Sequence, residues 1–414
     1  MRRTRPTRLL LAVLASALVL PVLPAATGAA SAAEPRKKVE TWATPGSVGI
    51  TLTGHGYGHG KGLSQYGALG AAKQGLTWQQ IDEFYYPGTT WGRIGGKIRV
   101  LITADTGRDV QVTAQRGLKV ASLTKRRTWR VPPIAAKKWR LVGAGSDTTV
   151  QYTKGGAWRT WKKVPGEAEF SSTTGILTLV TPAGRRDYRG TLQSVAARQS
   201  TKRETVNKLS MEAYLRGVVP REVPASWPSA AVSAQSVAAR TYAAFERSHP
   251  SAAHYDLCDT SNCQVYGGVG DEHPDATAAI RATAKQGLFY GGRPAFTQFS
   301  ASNGGYSAAG SMPYLVAQAD PYDGIANPAY STWTKAIDDT QIEGHWPAIG
   351  DLTSIEVTTR NGYGDWGGRV VDIAFIGTTG TARTDGDTVR DYFGLNSDWF
   401  TFTVTPRQKG QLRE

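Results

Sequence analysis

The chain is poor in sulfur and histidine: its 414 residues include 2 Cys, 3 Met and 6 His. So little cysteine excludes a disulfide-dense scaffold and most multi-thiolate metal centres. Acidic residues are also scarce, 33 against 48 Lys+Arg, for a formal net charge of +15. Beyond the first 24 residues no apolar run is long enough for a membrane-crossing helix. Internal repeats and low-complexity segments are missing too, which excludes solenoids and argues against extensive disorder. What is present is a composition with 40% apolar residues and 12 Trp, enough for a buried globular core.

The first residues set an expectation about compartment. MRRTRPT is basic, LLLAVLASALVLPVL is apolar, and TGAASAA supplies small residues for cleavage. Residues 1–33 therefore read as a secretory signal peptide, cut between Ala32 and Glu34, with a secreted or wall-associated product. A retained anchor is the alternative, disfavoured by the short run and its breaks at Pro21 and Pro24. Removing the four arginines of this segment would leave +11. Residues 101–200 hold most of the excess, 18 Lys+Arg against 6 Asp+Glu. Such a stretch suits a polyanionic partner, and anionic wall polymers or phospholipid headgroups fit the expected compartment better than nucleic acid. A solvated basic face without a partner is the plain alternative.

Along the chain, residues 34–50 are polar and read as a linker, with GITLT starting a short strand. A glycine-rich segment, GHGYGHGKGLSQYGA at 54–68, follows. Residues 64–74 and LTWQQIDEFYYPGTTW suggest helices, the second stopped by Pro87 and Gly88. Alternating β-branched runs such as KIRVLIT, VQVTA and GILTLVT make residues 100–205 a β-rich basic region. MEAYLRGVV suggests a helix ending before Pro220, and a long helix is expected between Pro228 and Pro250. A further helix is expected over 275–286, with strands at LFYGG, AFTQFSAS, SIEVTTR and VVDIAFIG, and a tail over 406–414. The class is α+β: one large mixed domain, its β-rich basic subdomain inserted before a helical block.

Several residues invite chemical readings. Cys258 and Cys263 in HYDLCDTSNCQVYGG suit a small disulfide loop, or a structural zinc joined by His254, with His273 further on. His55 and His59 have helical spacing, but six glycines argue against a helix there, which weakens a metal reading. Ser64 and Ser302 lack the local signature of a nucleophilic triad. The glycine spacing has no dinucleotide-binding βαβ context around it.

EAYLRGVVPREVPASWPSAAVSAQSVAARTYA closely resembles the signature of the stage II sporulation protein D family. DLCDTSNCQVYGG, FSASNGGYS, PYLVAQADPYD and TVRDYFGLNSDWFTF match further stretches in the family's order, and residues 54–68 match its glycine-histidine-Ser-Gln segment. In the family that segment follows the final strand, whereas here it comes first. This resembles a circular permutation of a main domain made of residues 51–96 and 97–405. It requires the SDWFTFTV strand to lie beside residues 51–54.

The resemblance implies a peptidoglycan lytic transglycosylase acting on glycan strands, or a wall-binding module that enhances a partner amidase, with no cofactor. It implies Glu222 as the acid, and the neighbouring Val218, Val219, Val223 and Trp227 suit a raised pKa. Arg240 and Gln235 on the long helix, with His59, Ser64, Gln65, Ser302, Asn303 and Tyr314, are the expected substrate contacts. Val316 stands where the family suggests a basic residue. The glycines are expected to let the backbone pass close to the cleft.

Overall fold

The computed structural model describes residues 39–197, 202–325 and 331–407. The expected signal peptide, and the expected tail beyond residue 407, lie outside the described residues.

Residues 39–50 do not form a free linker. Glu40–Ala43 is an edge strand pairing antiparallel with Leu352–Arg360 in a four-stranded sheet. Its alternation explains why: Trp42 packs against Phe402 at 5.1 Å, while Glu40 pairs with buried Arg360 at 2.9 Å. These partners are more than 300 residues away, so a short polar stretch gives no local sign of them. The next strand, Val48–His55, is central in a three-stranded sheet between Thr332–Asp338 and Phe400–Pro406. Val48, Ile50 and Leu52 alternate inward, as period-2 strand geometry dictates, into a core with Phe400, Ile355 and Phe375. Thr51 pairs with Thr403 and Gly54 with Phe400, so the two segments whose adjacency a permutation requires are neighbours.

The basic region forms a six-stranded and a seven-stranded sheet, antiparallel except where Leu257–Cys258 runs parallel to Lys97–Leu101. Its entering and leaving strands, Lys97–Leu101 and Arg203–Ser210, pair with each other. Its core is not separate, however. Val120, Leu141 and Phe170 belong to one buried cluster with Tyr214, Val218, Val232 and Ala239 of the helical block.

Six helices frame the site: α1 (Gln65–Lys73), α2 (Trp78–Tyr85), α3 (Met211–Arg216), α4 (Val219–Glu222), α5 (Ser229–Ser248) and α6 (Pro274–Ala282). The expected helix through MEAYLRGVV is two pieces. α3 is capped at Gly217, and Pro220 lies in the first turn of the separate α4, where its missing N–H costs nothing. Glu222 closes that turn. α5 starts after Pro228 and is alanine-rich, so α1, α2 and α6 pack against it closely, and it is buried through most of its length. α6 ends earlier than expected, because Gln286–Tyr290 becomes a strand beside Thr90–Arg93. Among the described residues no helix is long and apolar enough to cross a membrane.

Candidate functional site

The glycine segment is a close-approach device. Gly56, Gly58, Gly60 and Gly62 all have positive φ, and a Cβ on Gly62 would meet the Gln298 carbonyl at 2.1 Å. Only glycine tolerates both conditions. The loop thus lies flat on residues 298–303: Tyr57 bridges Ser302, and Leu63–Ser64 pairs parallel with Phe299–Ser300. It delivers His59 and Gln65 to the wall of a cavity of about 400 Å³ that also contains Glu222. Tyr242 of α5 and residues 261–265, including Asn262 and Gln264, form the opposite walls, with Gln298, Phe299 and Ser300 alongside.

Glu222 is partly buried, and the Gln65 side-chain amide donates to its Oε2 at 3.4 Å. Burial pushes its carboxyl up to about 7, against smaller downward pulls from the Gln65 hydrogen bond and the Arg221 charge. His59 is driven the other way, down to about 4, by burial and then by the charges of Lys61, Arg369 and Arg390. The Lys61 backbone N–H donates to His59 Nδ1 at 2.9 Å. The neutral ring therefore carries its proton on Nε2 and is a hydrogen-bond donor at neutral pH. Burial, with the negative charges of Glu246 and Glu222, pushes the Tyr242 phenol up to about 12, so its hydroxyl stays protonated.

The other expected contacts sit elsewhere. Ser64 caps α1, accepting from Gly67 N–H at 3.0 Å, and donates to Asp323 Oδ2 at 3.0 Å. Fully buried Ser302 donates to the same carboxylate, which also accepts the Asn303 N–H at 2.6 Å. Asn303 donates its side-chain amide to Asp320, which Tyr85 also reaches at 2.7 Å. Ser64, Ser302 and Asn303 are thus a buried network behind the loop rather than cleft contacts. Its hubs, Asp320 and Asp323, were not singled out as site residues, although both lie in PYLVAQADPYD. Tyr314 is a core residue, 3% exposed, and its hydroxyl accepts from Phe296 N–H. Gln235 is buried within α5 and does not line the cavity.

Arg240 is the sharpest correction. Its guanidinium is 0% exposed, donates twice to Glu212 at 3.0 and 2.9 Å, and donates to the carbonyls of Gln286 and Ile280. It ties α3, α5, α6 and the strand after α6 together, and its donors are spent on that task.

Cys258 and Cys263 are joined as a disulfide, so neither offers a thiolate to zinc, and His254 pairs with Glu204 at 2.6 Å. The bridge closes the loop whose end, 261–265, walls the cavity. His55 points away from a metal role too: it donates to the Ser331 carbonyl, faces Asp365 at 3.2 Å and stacks on Trp366 at 4.7 Å. No cluster of three or more metal-ligating side chains occurs among the described residues. Sequence reasoning missed Tyr242, Asn262, Gln264 and Gln298 as wall residues. The disulfide spacing was the one available signal, since it closes a short loop whose Ser261 and Asn262 are exposed.

Fold and site together define an α+β protein presenting one proton-holding carboxyl in a polar cleft. Residues 199–290, which contain α3 to α6, match the family model described as stage II sporulation protein. Over that segment the chain is similar to the stage II sporulation protein D family. It is 32% identical over 155 residues to the amidase enhancer of Bacillus subtilis, covering 35% of this chain and 21% of that one. It is 55% identical over 40 residues to stage II sporulation protein D of the same organism, covering 10% and 12%. An uncharacterized protein of Brachyspira hyodysenteriae is 33% identical over 138 residues, covering 32% and 37%. The matched segments thus span well under half the length of each of these relatives.

Proposed function

We propose that the chain is a cell-wall enzyme, a lytic transglycosylase cleaving the MurNAc–GlcNAc bond of peptidoglycan, secreted and acting on glycan stripped of its stem peptides. The observation that carries this reading is that, among the described residues, Glu222 is the one carboxyl lining the cavity, and it holds a proton near neutral pH. Glycosidases that use water normally employ two carboxyl groups flanking the scissile bond. A single carboxyl suffices when the nucleophile belongs to the substrate. Glu222 gives its proton to the glycosidic oxygen as the C1–O4 bond breaks. The MurNAc C6 hydroxyl then attacks C1 and returns its proton to the Glu222 carboxylate, closing a 1,6-anhydro ring without net consumption of acid or water. The Gln65 amide steadies the carboxylate, and the His59 Nε2–H and the amides of Asn262 and Gln298 suit acetamido and hydroxyl oxygens. The rings of Tyr242 and Phe299 suit the apolar face of a sugar.

The name of the Bacillus subtilis relative favours a second reading, a wall-binding module that raises the activity of a partner amidase. The two readings separate when purified protein is incubated alone with peptide-free glycan strands. Release of soluble muropeptide-free saccharides, followed by chromatography, is the expected result. No release alone, but faster stem-peptide cleavage by an added amidase on intact, peptide-bearing peptidoglycan, would favour the enhancer.

A further inference from the structure

The excess positive charge of residues 101–200 is not spread evenly through the sheets. All six carboxylates of this stretch accept hydrogen bonds: Asp105 from Thr205, Asp109 from Arg140, Asp147 from Gly166 N–H, Glu167 from Ala196 N–H, Glu169 from Gln193 and Asp187 from Thr178. The cations are mostly exposed, and one group of them sits where two sheet edges meet. Thr128–Arg130 is the edge of the seven-stranded sheet and Ala157–Val164 the edge of the six-stranded one. Lys162 joins them, its Nζ 5.4 Å from the Trp129 ring and 6.0 Å from the Trp161 ring. Arg127 lies 5.3 Å over Trp129 as well. Arg127, Arg130, Arg159 and Lys163 are exposed around this junction.

We propose that these two edges form a binding surface for a phosphodiester-linked polyol chain, a flexible polyanion. Arginine forks match phosphate oxygens in pairs, and cations outnumber acids 18 to 6 over residues 101–200. The tryptophans distinguish this ligand from a nucleic acid. Single-stranded nucleic acid binds by stacking bases on bare aromatic faces, whereas Trp129 is covered by Arg127 and Lys162, and Trp158 by Arg140 at 4.1 Å. The cations are thus held in place by rings, and phosphates are the groups they meet. This site is separate from the Glu222 cavity and does not depend on the function proposed for it.

The test is equilibrium binding of fluorescent poly(glycerol phosphate) to the whole protein. Affinity is expected to fall about 10- to 100-fold between about 50 and about 200 mM salt. The triple variant Arg127→Ser, Arg159→Ser, Lys162→Ser is expected to lose at least about tenfold in affinity at low salt, with glycan release unchanged. Arg159→Glu, a single exposed change, serves if the triple variant misfolds, and it should weaken binding in the same direction. Charged edge strands also protect sheets from aggregation. Variants that aggregate while binding the polymer as the native protein does would overturn the proposal and leave edge protection as the role. Tighter binding of single-stranded DNA of equal charge would overturn it in favour of a nucleic-acid surface.

Discussion

Glu222→Gln is expected to lower glycan cleavage by about a thousandfold, the scale of a lost general acid. The amide fills the same space and can keep a hydrogen bond to Gln65, but it has no proton to give to the leaving oxygen. In the native protein, kcat/KM should hold steady at mildly acidic pH and fall about tenfold per pH unit above about 7, as Glu222 ionises. His59, already neutral above about 4, adds no second limb to the profile over that range. Stability should follow the same proton. Burial raises the Glu222 pKa from 4.5 in the free side chain to about 7, so the folded state holds this proton more tightly than the unfolded state. Its contribution is fully present below about 4.5 and is lost as pH rises through about 7. The Gln variant, which cannot ionise, should therefore melt higher than the native protein above pH 7, with the difference closing on acidification. Equal melting temperatures across the range would mean that Glu222 is not desolvated. Full activity in the variant would remove it from the chemistry.

Arg240→Met should be the most damaging single change to stability, costing about 3–5 kcal/mol. The substitution preserves much of the side chain's length while removing the cation from Glu212 and the donors from the carbonyls of Gln286 and Ile280. Glu212 is 28% exposed, and water reaching it places the loss toward the lower end of that range. Urea unfolding should show a lower midpoint with an unchanged slope, and the fraction still folded should cleave glycan at the native kcat. Native stability combined with weakened glycan affinity would instead return Arg240 to the cleft, where the family resemblance had suggested it.

That contrast shows which parts of the molecule local sequence can convey. Pro228 and Pro250 bracket α5 because proline is tolerated at a helix start and disruptive in its interior, a rule that operates within a few residues. The glycine loop was legible for the same reason: only close backbone approach calls for so many glycines, and His59 and Gln65 came with it to the cavity. Side-chain partnerships across the fold obey no such local rule. Ser64 and Ser302 have the hydroxyls a sugar site needs, yet both turn to Asp323, which lies 259 residues from Ser64. Arg240 has the charge a substrate contact needs, but its guanidinium is buried among helices that converge only after folding. Glu40 and Trp42 look like linker residues until Arg360 and Phe402 arrive beside them. Residue type indicates what a side chain can do, and tertiary neighbours decide what it is used for.

The central claim is that the cavity breaks a glycosidic bond with one carboxyl and no water. Digestion of peptide-free glycan in water enriched in oxygen-18, followed by mass spectrometry of the new MurNAc ends, tests it directly. The expected product is a 1,6-anhydro end carrying no label, absent from digests made with Glu222→Gln. A reducing end that has gained one oxygen-18 atom would show that water is the nucleophile and contradict the account.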